Sequence, residues 1–370
     1  MPRAFLPILF AVTLAIGGGA RLGWIPIGGS IAGNAVGLVI ALVLLVIGAD
    51  FMVHGAVRLA RKLGVSPFFI GVTVVAFGTS APELAASVGA ALKDSGGLAV
   101  GNVLGSNIAN ICLILGVTAI ISPVPIERSI WRVDAPLMFI LTVLASLTML
   151  DGLFPWGRAG EGIGWRDAGF IGRIDGTLLI LGLIGYVWFN ARSGRIDPAE
   201  IEHEIEIELN EPAGKGSDEP KALGLKSGML FVIGLVGLVL GADLLVLNAQ
   251  SIALELGVTE AVIGLTVVAF GTSVPELVFS ARAAMKGHAE IAVGNIIGSN
   301  VFNLLSVLGI ASLVSPFPVP DDATGRDIWV VWGVSLVAMI VMKTHARVTR
   351  AEGIFLVAAY LTYTLAVYVA

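Results

Sequence analysis

Long apolar stretches, separated by short polar segments, make up most of the chain. A helix needs about 20 mostly apolar residues to span the hydrocarbon core of a bilayer. Ten stretches approach or exceed that length, five on each side of a polar central segment: Ala35–Ala60, Phe68–Leu92, Leu98–Ile121, Val133–Leu150, Gly172–Phe189, Leu225–Leu254, Ala261–Met285, Ile291–Val314, Ile328–Met342 and Gly353–Val369. The pattern predicts an all-α membrane protein with ten core transmembrane helices.

A further apolar segment, Ala4–Gly19, precedes these ten stretches. No clear cleavage pattern of small residues follows it, as would be expected after a secretory signal peptide. We therefore expect a retained extra helix within residues 1–33, and an interfacial helix or a signal-like segment stay open as alternatives.

The composition agrees with a membrane protein. Only 13% of the 370 residues are charged, 56% are hydrophobic, and the mean hydropathy is +0.93. Soluble globular proteins carry about 25% charged residues. The composition therefore excludes a water-soluble enzyme and a disordered or nucleic-acid-binding protein, and it makes the lipid bilayer the expected surroundings. With Cys112 as the single cysteine and four histidines, we expect no disulfide within the chain, no zinc or haem site and no cofactor.

The two halves of the chain repeat each other. Gly71–Glu83 reads GVTVVAFGTSAPE and Gly264–Glu276 reads GLTVVAFGTSVPE, so 11 of 13 positions are identical at an offset of 193 residues. The same offset relates GNVLGSNIANICLILG (Gly101–Gly116) to GNIIGSNVFNLLSVLG (Gly294–Gly309). The chain therefore contains a duplicated unit, with repeats over 34–190 and 225–370.

Because each repeat has five spans, an odd number, the second repeat must be inverted in the membrane. Lys and Arg favour cytoplasmic loops. If the first helix of the first repeat runs inward, 16 of the 22 basic residues fall on the inside. This orientation makes the acidic linker over 191–224 cytoplasmic. Its run IEHEIEIEL lacks the spacing of an EF-hand, so we expect a solvated loop rather than a regulatory Ca²⁺ sensor. Inverted repeats with interrupted helices are typical of secondary transporters.

Two acidic residues, Glu83 and Glu276, lie inside apolar spans at equivalent places of the two repeats. An ionised carboxylate at membrane depth is costly, so it normally faces a pathway or a partner. No basic residue occupies the middle of any span, which disfavours a buried Glu–Lys or Glu–Arg pair. Protonated structural glutamates are the remaining alternative to a cation-binding role.

The residues around the glutamates predict a break in each helix. Pro82 and Pro275 lack an N–H and clash with the carbonyls of Gly78 and Gly271, four residues earlier. Such a break turns backbone carbonyls into free oxygen ligands. Hydroxyl oxygens in the same turn come from Thr79, Ser80, Thr272 and Ser273. The same residue types also serve as kinks and packing residues in membrane helices, which is the alternative.

The second repeated block, GNxxGSNxxN, supplies further neutral oxygen ligands. Asn102, Ser106 and Asn110 are four residues apart and share one helical face. The block also contains Asn107, and its second copy supplies Asn295, Ser299, Asn300 and Asn303. For Asn102, Asn107 and their equivalents, hydrogen bonds between helices are an equally good interpretation.

All these candidate ligands are hard oxygens, which suit Ca²⁺ and Na⁺ rather than soft metals. Two carboxylates neutralise one Ca²⁺ and could equally hold two or more Na⁺, and this shared use of charge is the physical basis of exchange. H⁺/Ca²⁺ exchange is the nearest rival. An intramembrane hydrolase using Ser80 or Ser273 is a more distant rival, since neither motif holds a histidine to activate a nucleophile. A passive channel is also more distant, since inverted repeats with interrupted helices favour alternating access.

The paired GTSAPE/GTSVPE and GNxxGSN motifs resemble the α-repeats of the cation/Ca²⁺ exchanger superfamily, and most of all those of prokaryotic sodium/calcium antiporters. The resemblance covers about residues 34–370 and implies ten core helices and transported Ca²⁺ and Na⁺. It further implies that the protein is located in the inner (plasma) membrane of a prokaryote. It also implies that the first helix of each repeat moves against a more rigid core.

By motif position, the resemblance implies that Glu83 and Glu276 are the shared Ca²⁺ ligands, completed by Asn110 and Asn303. It adds a set of hydroxyls and backbone carbonyls around them: Thr79, Ser80, Thr272, Ser273, Ser106 and Ser299, with the carbonyls of Ala76 and Ala269. Many members have an Asp at one of the two central asparagine positions, whereas both are Asn here. This difference leaves Na⁺, H⁺ and K⁺ open as the counter-ion.

Asp50 and Asp243 form one more repeat-related acidic pair, in the first helix of each repeat. They are the weakest candidates for the site. They could gate the pathway, attract cations, or pair with Lys or Arg near an interface.

Overall fold

The computed structural model describes residues 5–21, 30–150, 169–193, 220–256, 271–320 and 323–369. The helices are α1 (Phe5–Arg21), α2 (Ile31–Leu63), α3 (Pro67–Thr79), α4 (Ala81–Ala91), α5 (Gly96–Ile121), α6 (Ile130–Leu147), α7 (Arg173–Ser193), α8 (Pro220–Glu255), α9 (Val274–Met285), α10 (Ala289–Val314), α11 (Ala323–Lys343) and α12 (Arg350–Val369). Short strands are β1 (Val124–Pro125), β2 (Phe170–Ile171), β3 (Phe317–Pro318) and β4 (Arg347–Val348).

The predicted all-helical membrane fold is confirmed. Within the described residues, eight helices are long and apolar enough to cross a membrane, and α3 with α4 makes a ninth span that bends by 44°. The expected tenth span, Ala261–Met285, begins outside the described residues and continues as α9. Helix α1 covers the N-terminal apolar segment, and its retention stays a prediction. Of the acidic linker expected over 191–224, residues 194–219 lie outside the described residues, and its two ends belong to helices α7 and α8.

The two repeats are interlocked through their last helices and their strands. Strand β1 of the first repeat pairs with β4 of the second, and β2 pairs with β3, both antiparallel. Gly116 on α5 lies against Gly353 on α12, and Gly309 on α10 lies against Gly176 on α7. Each repeat therefore completes its packing with the fifth helix of the other, as two-fold symmetry between inverted repeats requires.

Helices α5 and α10 form the centre of this interlocked core. They are the most buried spans, with 72% and 89% of their most apolar segments inside the protein, whereas α12 has only 11%. Asn107 Nδ2 on α5 donates to the carbonyl oxygen of its repeat equivalent, Asn300, on α10 at 3.1 Å. This contact joins equivalent positions, so it lies close to the pseudo-two-fold axis.

Helices α2 and α8 run along each other beside this core, at a distance that only glycine allows. A Cβ on Gly234 would lie 2.4 Å from the backbone nitrogen of Met52, and one on Gly48 would lie 2.8 Å from the backbone nitrogen of Leu238. Small residues let membrane helices approach closely and gain dispersion energy from backbone contact. Helix α1 packs on both, with Phe10 against Gly237 on α8.

We predict different effects on the melting temperature for two glycine-to-alanine changes on α8. Gly234→Ala should lower the melting temperature in detergent, because the added methyl group meets backbone and overpacking costs about 1–3 kcal/mol. Gly228→Ala meets no atom within 4 Å and should be neutral or stabilising, since alanine is the better helix former. Equal melting temperatures for the two variants would contradict the close α2–α8 contact.

Candidate cation-binding site

The two glutamates lie at helix breaks, as the sequence predicts. Ser80 leaves the helical conformation between α3 and α4, with φ −81° and ψ 6°, and Ser273 does the same before α9, with φ −90° and ψ 1°. Pro82 and Pro275 occupy the first turn of the helix that follows each break. Because the first N–H groups of a helix have no partner within that helix, a proline is well tolerated there.

Glu83 and Glu276 are buried in the first turns of α4 and α9, with 1% and 2% of their surface exposed. The N-terminus of a helix carries partial positive charge, which favours a carboxylate at this place. Within the described residues, neither glutamate takes part in an ion pair. The carboxylates are therefore stabilised by dipoles, and no basic side chain of the described chain neutralises them.

The arrangement around the glutamates is crossed between the repeats. Ser80 of the first break lies with its Oγ 3.4 Å from Oε1 of Glu276. The side chains of Thr272 and Ser273, in the second break, lie beside the carboxyl group of Glu83. Each carboxylate thus faces the hydroxyls of the other repeat, and the two are close enough to repel each other electrostatically.

Asn110 and Asn303 lie at the beginning of π-helical turns in the middle of α5 and α10, as the second residue of Ala109–Ile114 and the first of Asn303–Val307. Such widened turns are frequent at functional sites. The turn at Asn303 packs against α4, and the turn at Asn110 packs against α9. Both asparagines therefore belong to helices that pack against the glutamate-bearing helices.

Buried oxygen and nitrogen atoms without a hydrogen-bond partner in the described structure are concentrated among the candidate ligands. They include Glu83 Oε2, Glu276 Oε2, both polar atoms of Asn110, Asn303 Oδ1, Ser299 Oγ, Thr272 Oγ1 and Ser273 Oγ. A buried polar group without a partner costs about 1–3 kcal/mol. The oxygens of this set fit a hard cation as their partner, whereas the amide nitrogen of Asn110 is a donor and does not.

The remaining candidate ligands differ in what the structure shows of them. Ser106 is buried on α5. The carbonyl oxygen of Ala76 accepts the N–H of Ser80 at 3.0 Å, so one of the two lone pairs of that oxygen remains for a ligand. Ala269 lies outside the described residues. Among the residues described, no group of three or more His, Cys, Asp and Glu side chains comes together, so Glu83 and Glu276 are joined by neutral oxygens only.

Asp50 and Asp243 form ion pairs away from the glutamates. Arg282 donates Nε and Nη2 to the two carboxylate oxygens of Asp50 at 2.8 and 2.7 Å, and Lys286 Nζ lies 3.2 Å from Oδ1. Asp243 pairs with Arg21 at the end of α1. Of the three roles left open by the sequence, the structure shows the pairing with basic residues.

A cavity of about 660 Å³ leads from the Arg21–Asp243 pair to the helix breaks. It lies along α8, and its lining includes Gly78, Pro82, Gly271 and Thr272. The second break is therefore reachable from that side of the protein. On the other side, the Asp50–Arg282 pair joins α2 to α9.

Two serines near the site were missed by the sequence analysis. Ser87 and Ser280 are fully buried; Asn102 Nδ2 donates to Ser87 Oγ at 2.9 Å, and Asn295 Nδ2 to Ser280 Oγ at 3.0 Å. Their repetition at the offset of 193 residues was the available signal. The side chains of Asn102, Asn107 and Asn295 donate hydrogen bonds to another helix, one of the two interpretations left open above. Asn300 Nδ2 instead donates to the carbonyl oxygen of Ile296 in its own helix at 2.7 Å.

Comparison with known proteins gives a consistent result. The family model described as sodium/calcium exchanger protein matches residues 33–192 and 226–369. The putative antiporter CaxA of Alkalimonas amylolytica is 36% identical over 88% of this chain and 96% of its own length. The sodium/calcium exchanger MaX1 of Methanosarcina acetivorans is 33% identical over 90% and 97%.

Solved structures of the sodium-calcium exchanger NCX_Mj have the same fold. One of them, from a crystal soaked with Na⁺ and Sr²⁺, superposes with a TM-score of 0.72 at 30% identity, over 89% of this chain and 96% of that one. The resemblance seen in the paired motifs is thus confirmed over nearly the whole length of both chains. The chain belongs to the sodium/calcium exchanger family, whose members are transporters and not enzymes.

Proposed function

We propose that the protein exchanges Ca²⁺ for Na⁺ across the membrane by alternating access to one site between the two helix breaks. The observation that carries this proposal is the pair of buried glutamates, Glu83 and Glu276, which face each other's hydroxyls without an ion pair in the described structure. A transported cation is the partner that this arrangement is suited to bind.

The charge of the site supports exchange rather than simple binding. Two ionised carboxylates carry a charge of −2, which one Ca²⁺ or two Na⁺ neutralise. Leaving net charge at a buried site is expensive, because Coulomb energies rise as the effective dielectric constant falls. Binding of Ca²⁺ therefore opposes binding of Na⁺, and the site without a bound cation is the least stable state.

The proposed ligands are the two carboxylates and a ring of neutral oxygens. That ring consists of the hydroxyls and amide oxygens whose atoms lack partners, together with Ser80, Thr79, Ser106 and the carbonyl of Ala76. The carbonyl of Ala269 belongs to this proposal by repeat symmetry. Ca²⁺ takes six to eight oxygen ligands at about 2.3–2.6 Å, which the set can provide.

Access would alternate by movement of α2 and α8 against the interlocked core. The close glycine contact allows the two helices to move as one unit. Lys and Arg are concentrated on one side of the predicted topology, which supports a plasma-membrane orientation with the acidic linker in the cytoplasm.

Protons and K⁺ remain alternative counter-ions, since two glutamates can also take up protons when Ca²⁺ leaves. The intramembrane hydrolase is set aside, because the chain belongs to a family of transporters. The test is Ca²⁺ uptake into proteoliposomes, with outward Na⁺, H⁺ and K⁺ gradients compared in turn. Uptake driven by Na⁺ alone supports the proposal, and uptake that needs a proton gradient and ignores Na⁺ contradicts it.

We predict that Glu83→Gln and Glu276→Gln each abolish Ca²⁺ exchange while the protein stays folded. Each change removes half of the negative charge of the site but keeps the shape of the side chain. Flux in proteoliposomes measures the loss, and size-exclusion chromatography checks the fold. Near wild-type Ca²⁺ flux in either variant would remove the central claim.

For Asp50→Asn we expect a loss of stability without a change in ion exchange, the reverse of the effect expected for the two glutamate variants. Removing this partly buried carboxylate leaves Arg282 and Lys286 without their partner, which should cost about 2 kcal/mol of stability and lower the melting temperature. The ion specificity should not change. Asp243→Asn is the matched control, with a smaller effect because this pair is 40–52% exposed. Loss of Ca²⁺ binding at unchanged stability in Asp50→Asn would show that Asp50 is a ligand.

A further inference from the structure

Asn295 links the two repeats next to the proposed site. The residue is fully buried on α10, and its Nδ2 donates to Ser280 Oγ of its own repeat at 3.0 Å. On its other side, the hydroxyl of Thr79, in the first break, donates to Asn295 Oδ1 at 3.1 Å. One amide group thus holds a hydroxyl from each repeat.

The orientation of this amide follows from the equivalent residue in the first repeat. Asn102 Nδ2 lies 2.9 Å from Ser87 Oγ and 3.2 Å from the carbonyl oxygen of Glu83, which can only accept a hydrogen bond. The nitrogen of Asn102 must therefore point toward Ser87. The repeat relates Ser87 to Ser280, so the same orientation in Asn295 directs its oxygen toward Thr79.

A hydroxyl that binds a cation must present a lone pair to it and turn its single hydrogen elsewhere. The Thr79 hydroxyl lies 3.1 Å from Asn295 Oδ1 and 3.5 Å from the carbonyl oxygen of Ala76, and the carboxyl group of Glu276 lies beside it as a third acceptor. The Ala76 carbonyl already accepts the N–H of Ser80, so a second donor would use its remaining lone pair. By taking the hydrogen, Asn295 keeps two oxygens available to a cation.

We propose that Asn295 is a positioning residue, which orients the Thr79 hydroxyl and leaves the Ala76 carbonyl available for cation binding without itself being a ligand. This inference rests on the function proposed above, because the site is the same. It assigns to a buried asparagine outside the ligand set a specific effect on the affinity for the transported cation.

The test is a double-mutant cycle read out as the Kd for Ca²⁺, measured by calorimetry on the purified full chain. Asn295→Leu removes the acceptor and should raise the Kd about tenfold, the effect of losing one hydrogen bond. Thr79→Val removes the hydroxyl and should also raise it. The double variant should bind no more weakly than Thr79→Val alone, because Asn295 acts only through that hydroxyl.

Two further variants separate positioning from packing. Asn295→Asp keeps an acceptor oxygen and should bind Ca²⁺ at least as tightly as the unaltered chain. Asn295→Ala is run in parallel with Asn295→Leu, so that a folding defect in one does not leave the cycle incomplete. The control cycle combines Asn102→Leu with Thr79→Val. In that double variant the fold-change in the Kd should equal the product of the fold-changes of the two single variants.

Independent, multiplicative effects of the changes at 295 and 79 would overturn the inference, as would Asn295→Asp binding as weakly as Asn295→Leu. Such results with Ca²⁺ binding intact in the unaltered chain leave the proposed function standing. Absence of Ca²⁺ binding by the unaltered chain would instead overturn the proposed function, and this inference with it.

Discussion

The structure depends on one electrostatic constraint, the burial of two carboxylates that no basic side chain of the described protein neutralises. Glu83 and Glu276 are almost fully buried and lie close enough to repel each other. Burying a charge costs several kcal/mol unless a partner is provided. Two helix N-termini and a set of hydroxyls reduce this cost without removing the charge. This uncompensated burial is the observation on which the proposed cation site rests.

Holding two like charges together requires a rigid frame, and the interlocking of the repeats provides it. The fifth helix of each repeat packs on the third helix of the other, and the short strands pair across the repeats. Separating the repeats would break all these contacts at once. The α2–α8 pair, in contrast, meets the core mainly along one side. The interlocked core and the α2–α8 pair are thus formed by different parts of the same duplicated unit.

Much of this arrangement could be predicted from the sequence. The offset of 193 residues located both breaks and both glutamates, because the Pro, Gly and Glu residues have direct local consequences. The inverted topology followed from the odd number of spans in each repeat. Contacts between helices were less accessible. Nothing in the pattern around Ser80 shows that it faces Glu276 rather than Glu83, since crossing between repeats is a property of the packed core. Ser87 and Ser280 were missed for the same reason, because a small polar residue in an apolar span is informative only when its neighbour is known.

The two halves of the site come from equivalent segments of the two repeats, but their surroundings differ, and the sequence shows why. Arg282, which forms an ion pair with Asp50, has Gly89 as its equivalent in the first repeat. Asp243 therefore has no arginine at the matching place. Its partner Arg21 comes from α1, which lies outside the duplicated unit. The Asp50 pair joins α2 to α9 within the repeats, whereas the Asp243 pair joins α8 to an added helix at the mouth of a cavity that reaches Thr272. Helix α1 packs on both α2 and α8. The added helix thus provides Arg21 as the partner of Asp243, whereas Asp50 is paired with Arg282 and Lys286 of the second repeat. The two equivalent aspartates of a symmetric fold therefore have basic partners of different origin.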